Sequence, residues 1–272
     1  MNITLTTIIG ISIIFLATTL GSAFVFFLRK SEISPRLSQI LTGLAAGIML
    51  SASFFSLLLP AIKMEVTYMP SWLVAAISVL LGAAFLWGID HLLPHLHVAQ
   101  GKEEGLKNPR MNKTAKMFLA VTIHNIPEGL SVGIAFGVAL AFNRDHPGEA
   151  ASIAALSGAL SLAIGIALQN IPEGAVVSLP VKVETKSTGK AFLFGTLSGA
   201  VEPIAAVVGL FLAFSIQAIM PWALCFAAGC MIYVIAEEMI PDAKGDPTHH
   251  DGVWAFLIGF VIMMVLDIAF GE

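Results

Sequence analysis

The sequence predicts an all-α polytopic membrane protein: one transmembrane transporter domain over residues 1–272, with eight transmembrane helices and both termini outside. Three observations lead to this prediction. Of the 272 residues, 57% are hydrophobic and only 12% are charged, with a mean hydropathy of +0.88, whereas soluble domains carry about 25% charged residues. The apolar residues form eight segments of roughly the 20 residues that a bilayer-crossing helix needs. Basic residues gather in alternate connections, which indicates one orientation.

The first three predicted spans cover residues 3–28, 38–61 and 71–93. The first lacks the cationic n-region and the small-residue cleavage site of a signal peptide, so we expect it to be retained. The second contains Gly43 and Gly47 on a small-residue face that permits close helix packing. The third runs into Asp90-His91, and a polar connection to the fourth span follows Pro94.

The fourth and fifth spans, residues 115–141 and 151–179, each carry one polar phrase. It reads His-Asn-Ile-Pro-Glu-Gly at 124–129 and Gln-Asn-Ile-Pro-Glu-Gly at 169–174. A charged side chain at the bilayer centre costs about 2.5–3.5 kcal/mol, so Glu128 and Glu173 indicate function more than packing. Consecutive spans run antiparallel, so matching interruptions predict a pseudo-twofold axis in the membrane plane. An inverted relation between spans 1–3 and 6–8 would fit this axis.

The last three spans are predicted at residues 190–216, 221–240 and 252–270, and the sixth contains a further carboxylate, Glu202, beside a proline. Of the 14 Lys and Arg residues, all but Lys63 and Arg144 fall in connections on one side, which marks that side as cytoplasmic. The chain has no basic patch interleaved with aromatic residues, so a nucleic-acid partner is not expected. The partner that composition indicates is the lipid bilayer.

The two polar phrases place metal-ligating side chains at helical spacing. His124 and Glu128 share one helix face, as do Gln169 and Glu173, and the neighbouring asparagines are displaced by about 100°. Each phrase also contains a proline, which frees a backbone carbonyl and predicts a kink. Crossed face to face, the helices would offer one imidazole, two carboxylates and three carboxamides to one or two cations. Imidazole with carboxylate suits Zn²⁺, Fe²⁺ or Mn²⁺, whereas an all-oxygen site would favour Mg²⁺ or Ca²⁺.

At these residues the chain closely resembles the Zrt/Irt-like (ZIP) family of divalent metal transporters, particularly its compact bacterial branch. The resemblance covers all eight spans, and the paired xNxPEG motifs carry it. It implies uptake of Zn²⁺, with Cd²⁺, Fe²⁺ or Mn²⁺ as further substrates, through a site between the fourth and fifth spans. It further implies a multi-pass protein of the cell membrane, the bacterial inner membrane, that is not an enzyme, needs no cofactor and forms a homodimer.

The resemblance also implies a set of metal ligands, and two of them depart from the family pattern. The first site would comprise His124, Glu128, Gln169 and Glu173 with the thioether of Met49; the second would use Asn125, Asn170 and Glu202 and share the two motif carboxylates. Many relatives have His where this chain has Gln169, and a neutral carboxamide binds borderline metals more weakly. Some relatives have a carboxylate where Asn170 stands, so the second site has less negative charge here.

Other polar residues near the span ends have two readings each. Asp90, His91 and His95 either bind metal on its way out or form a solvated turn. Glu237 and Glu238 either receive metal from the site or cap the seventh span at the interface. Asp267, near the external end of the eighth span, either guards the entrance or extends to the interface.

Two other functional classes compete with metal uptake: a proton-coupled carrier of a small organic solute, and a membrane-embedded metalloenzyme. The enzyme is disfavoured because neither His-Glu-x-x-His nor paired Glu-x-x-His occurs, and zinc proteases and di-iron bundles require these strings. No P-loop occurs either, so ATP coupling is not expected. Outward transport, proton coupling, and a channel as opposed to alternating access remain open from sequence.

Overall fold

The computed structural model describes residues 2–27, 34–64, 66–97, 102–105, 111, 113–244 and 249–271. Eight helices in these ranges are long and apolar enough to cross a membrane, which confirms the predicted fold class. We label them in chain order: α1 Ile3–Phe27, α2 Pro35–Lys63, α3 Ser71–Leu92, α4 Thr114–Asp145, α5 Ala150–Thr185, α6 Thr188–Ser215, α7 Met220–Lys244 and α8 Asp251–Phe270. Basic residues 29, 30, 107 and 110, which entered the orientation argument, lie outside the described residues.

The two motif helices are longer than hydropathy predicts. α4 ends at Asp145 rather than near 141, and α5 ends at Thr185 rather than near 179. The extra residues are mostly polar at the end of α4 and begin with Pro180 on α5. A span predicted from apolar residues alone therefore ends too early. On α5 the extension is tied down by Lys182, whose Nζ donates to the carbonyl of Val25 at the end of α1 over 2.8 Å.

Four of the helices contain local irregularities. α2 includes a π-helical segment at Ser53–Leu58, and α7 includes one at Ile235–Met239. α1 is interrupted at Ala23 and α6 at Ala200. Between α3 and α4, strand β1 (His95–His97) pairs antiparallel with β2 (Lys102–Glu104). This three-residue hairpin was not predicted, because strands this short give no readable alternation.

The helix packing has the pairing that an inverted repeat requires. α1 packs along α5, and α6 packs along α4; α2 packs along α8, and α7 packs along α3. Exchanging α1–α3 with α6–α8 and α4 with α5 converts each of these pairs into its counterpart. The same exchange relates the two helices that contain π segments, and the two helices that are interrupted. The central contact is between α4 and α5, and each of these helices continues through its motif proline.

Close backbone contact between paired helices depends on glycine. A Cβ on Gly133 of α4 would collide with the backbone carbonyl of Ala206 on α6, and one on Gly47 of α2 with that of Phe256 on α8. In lipid, helices are not driven together by the burial of apolar surface from water, so they associate through close van der Waals packing, which small residues permit. The pairs are therefore held at a separation that larger side chains would not permit.

We expect Gly133→Ala to destabilise the protein, because the added methyl must push α4 and α6 apart. Overpacking of this kind costs about 1–3 kcal/mol. The measurement is the apparent Tm of the purified protein in detergent. Gly158→Ala is the matched control, since a Cβ there meets nothing within 4 Å; equal melting of the two variants would contradict the tight α4–α6 contact.

Candidate metal centre

One cavity between the helices contains much of the predicted first site. Its walls include Met49 from α2, His124 and Glu128 from α4, Glu173 from α5 and Glu238 from α7. These five residues, from four helices, bring one thioether, one imidazole and three carboxylates to a common space. These are ligand types that bind borderline divalent metals.

The cavity extends from the motifs towards one end of the bundle. Beyond the ligands its walls continue to Leu41 near the start of α2, Ala120 near the start of α4, and Asp242 near the end of α7. These helix ends lie on the side that carries the basic connections, the predicted cytoplasmic side. In the opposite half the helices pack on Leu57, Phe136 and Leu162, each 0% exposed. The described helices therefore pack tightly on the predicted external side of the motifs.

His124 faces the π-helical segment of α7. Its Nε2 lies 2.7 Å from Oε1 of Glu238, and both side chains are largely buried. A π segment shifts the register of the residues that follow it and frequently occurs at functional sites. The contact makes Glu238 a direct partner of the motif imidazole, closer to the centre than an exit residue at the helix end would be.

Gln169 and Glu128 connect the two motif helices directly. The Nε2 of Gln169 donates to Oε1 of Glu128 over 2.5 Å, and both residues are at most 1% exposed. The other oxygen of each side chain, Oε1 of Gln169 and Oε2 of Glu128, is buried without a hydrogen-bond partner among the described residues. Two buried oxygens are thus available to a ligand, because unpaired buried polar atoms are rare without a reason.

The predicted second site forms a hydrogen-bonded cluster around Glu202, which is 0% exposed. Its Oε1 accepts from Thr18 Oγ1 at 2.8 Å and from Asn125 Nδ2 at 3.2 Å, and its Oε2 accepts from Asn170 Nδ2 at 2.8 Å. None of these four residues is among those that line the cavity. The cluster connects α1, α4, α5 and α6 behind the ligand-lined wall.

Among the described residues, no three His, Cys, Asp or Glu side chains are grouped closely enough to hold a metal ion on their own. In the contacts above, His124 is paired with Glu238, Glu128 is paired with Gln169, and Glu202 lies in the adjacent cluster. A cation in the cavity would therefore draw on the carboxamide of Gln169 and the thioether of Met49, or displace Glu238 from His124.

The remaining predicted residues are spread around this centre. Asp90 is buried at the end of α3, whereas His91 is exposed and stacks on Trp87, with ring centroids 5.8 Å apart. Glu237 is exposed next to the buried Glu238. His95 begins strand β1, and its side chain lies outside the described residues. These positions single out Glu238 on the cavity wall.

Asp267 of α8 lies apart from the cavity, in the half that is predicted to be external. Its Oδ1 accepts hydrogen bonds from Ser56 Oγ at 2.7 Å and from Ser161 Oγ at 2.9 Å. It therefore connects α8 to α2 and α5. Sequence reasoning did not find these serines, nor Thr18 beside Glu202, because isolated hydroxyl residues in apolar spans carry no spacing signal.

Comparison with known proteins agrees with the family resemblance that the paired motifs indicate. Residues 148–267 match the family model described as ZIP Zinc transporter. The chain is 32% identical to zinc transporter ZIP11 of Homo sapiens, with 93% of this chain and 94% of the relative covered. It is 35% identical to zinc transporter GufA of Myxococcus xanthus, with 94% and 95% covered. It is 32% identical to zinc transporter ZIPB of Bordetella bronchiseptica, with 94% and 79% covered.

Proposed function

The chain belongs to the ZIP family of zinc transporters, and from this premise we propose that it moves Zn²⁺ into the cytoplasm through the cavity between α4 and α5. It is a multi-pass membrane transporter and not an enzyme. The observation that carries the proposal is the convergence of His124, Glu128, Glu173 and Met49 on one cavity. Apolar residues would pack these positions without the cost of burying carboxylates in a membrane.

The family membership, the shape of the site and the charge bias together support inward transport. The cavity opens towards the end with the basic connections, which is cytoplasmic by the positive-inside rule. A cation held there would leave towards the cytoplasm once it is released. We propose uptake across the cell membrane, the bacterial inner membrane, with Cd²⁺, Fe²⁺ and Mn²⁺ as further substrates and a homodimer as the assembly.

The chemistry of the cavity wall separates transition metals from Mg²⁺. Imidazole and thioether are poor ligands for Mg²⁺, which prefers carboxylate, carbonyl and water oxygens. The test is ion entry into proteoliposomes that hold the purified protein, with an inside-negative potential and empty vesicles as the baseline. We expect Zn²⁺ to enter and Mg²⁺ to stay near the baseline. Absence of Zn²⁺ entry at either polarity would refute zinc transport, and equal entry of Mg²⁺ would refute the ligand assignment.

Glu238 is proposed to take part in release, because it already contacts His124 and lies on the cytoplasmic side of the motif carboxylates. We expect Glu238→Ala to lower the maximal rate of Zn²⁺ entry about tenfold, the lower range for loss of a group that supports a metal ligand. The KM should change less than the maximal rate, since the first site itself is retained.

The exposed neighbour Glu237 provides the matched control for this measurement. Glu237→Ala removes the same charge one residue away, on a side chain that does not line the cavity. We expect its entry rate to remain near wild type. Equal losses in the two variants would indicate a general effect of charge on α7 and would contradict a specific role for Glu238.

A further inference from the structure

The carboxylate of Glu202 is occupied by neutral donors from three other helices. We propose that Glu202 is a positioning residue and not a metal ligand: it fixes which atoms of Asn125 and Gln169 face the cation, so that the α4–α5 site holds one cation per chain. The proposal rests on the transport function inferred above. It replaces the expectation of a second metal at Asn125, Asn170 and Glu202 with a hydrogen-bonded support.

The orientation of Asn125 follows from its donors. A carboxamide nitrogen has two hydrogens and its oxygen has none. The Nδ2 of Asn125 donates to the carbonyl of Ser198 at 3.0 Å and to Oε1 of Glu202 at 3.2 Å, so both hydrogens are used. Its Oδ1 is consequently turned away from Glu202, and it is buried without a hydrogen-bond partner among the described residues.

The orientation of Gln169 is set through Asn170. The Nδ2 of Asn170 donates to Oε2 of Glu202 at 2.8 Å and to the carbonyl of Ile14 at 3.3 Å. Its Oδ1 is therefore left to accept from Nε2 of Gln169 at 3.3 Å. The second hydrogen of that nitrogen goes to Glu128, which leaves Oε1 of Gln169 free to bind a ligand.

These contacts form a chain from Glu202 through Asn170 and Gln169 to Glu128. Asn170 donates to Glu202, and Gln169 donates to both Asn170 and Glu128. The buried oxygens left over belong to Asn125, Gln169 and Glu128. The direction of the chain depends on Glu202 being an acceptor at both oxygens. A cation bound by Glu202 would have to displace the donors of Thr18, Asn125 or Asn170.

Glu202→Gln tests this arrangement with almost no change of size. One end of the new carboxamide is a donor, so it repels whichever asparagine nitrogen it meets. Asn125 must then turn its oxygen towards residue 202, or Asn170 must do so and present its nitrogen to Gln169, which turns its own oxygen towards Asn170. Either change removes one oxygen from those that face the cation. We expect Zn²⁺ to bind at least about tenfold more weakly, the range seen when groups that orient metal ligands are removed.

The measurement is equilibrium Zn²⁺ binding to the full chain in detergent, by calorimetry. Stoichiometry is counted as the number of ions lost in Glu128→Gln/Glu173→Gln relative to wild type, which excludes ions bound elsewhere. We expect that number to be one, and we expect Glu202→Gln to keep it while lowering the affinity. Ser78→Ala is the control: it removes a buried hydroxyl that donates to the carbonyl of Val74 within α3, a helix that contributes nothing to the Glu202 cluster, so binding should stay near wild type.

Either of two results would overturn the positioning role. The first is the loss of two ions in Glu128→Gln/Glu173→Gln. The second is the loss of one ion in that variant together with a wild-type Zn²⁺ affinity in Glu202→Gln. If Glu202→Gln does not fold, the count for wild type against Glu128→Gln/Glu173→Gln still decides, because a ligand role for Glu202 requires two ions. Both readouts are binding measurements. They are therefore distinct from the vesicle assay, whose failure would refute transport and not the hydrogen-bond chain.

Discussion

Replacing Glu128 and Glu173 together by glutamine is expected to abolish Zn²⁺ entry, with a fall of at least about 100-fold. Removing a group that merely supports a metal ligand costs about 10–100-fold in affinity or activity, and this variant removes the charge of two proposed ligands. In the proposed site, the two carboxylates would also supply the negative charge that offsets the loss of hydration when a divalent cation enters. Glutamine preserves their size, so the loss would report charge and not packing.

The measurement is Zn²⁺ entry into proteoliposomes at matched protein density. The control is a variant that also changes two glutamates, Glu149→Gln/Glu237→Gln, because both of these side chains are exposed in the structure. We expect this control to transport like wild type. Undiminished entry in the motif variant would place the pathway elsewhere in the protein, even though zinc transport itself would stand.

The fold class could be predicted from the sequence because each transmembrane span is evident from its local composition. A helix in lipid must satisfy its own backbone hydrogen bonds and present apolar side chains, so each span can be read without knowing its neighbours. The same contrast made the motif residues visible, since Glu128 and Glu173 interrupt apolar runs at matching positions. The family resemblance rests on these same residues and is borne out by the relatives.

What the sequence did not contain are features that depend on partner helices. The contact between His124 and Glu238 joins residues far apart in the chain. It also depends on a π-helical segment, and no residue type in Ile235–Met239 predicts one. The hydrogen bonds of Glu202 likewise depend on how Thr18 of α1 meets α6. The inverted repeat became evident through packing partners, because paired helices can share geometry without sharing residues.

Carboxamides show most clearly where sequence reasoning stops. Asn125, Asn170 and Gln169 were predicted to be oxygen ligands, but each also carries two hydrogens that must be placed. Once the acceptors around them are known, the asparagine nitrogens are directed to Glu202 and the glutamine nitrogen to Glu128. Residue type predicts that a side chain is able to bind metal; only its neighbours determine which atom is left to do so.

An inside-negative membrane potential is expected to drive Zn²⁺ accumulation without any other energy source. A potential of 100 mV is worth about 2.3 kcal/mol per charge, hence about 4.6 kcal/mol for a divalent cation. Because about 1.4 kcal/mol corresponds to a tenfold ratio, this is more than about a thousandfold accumulation at equilibrium. The measurement is free Zn²⁺ inside proteoliposomes, reported by a trapped indicator, at potassium diffusion potentials set with valinomycin.

The dependence of that ratio on potential also identifies the charge moved in each cycle. Net movement of two charges requires the logarithm of the accumulation ratio to rise linearly with potential, with the slope of a divalent cation. Exchange of Zn²⁺ for two protons would move no net charge and would make the ratio follow the pH gradient instead. A ratio that ignores the potential at equal pH would contradict uniport. A ratio that then follows an imposed pH gradient would indicate proton exchange, with the cavity carboxylates as the groups that bind either ion.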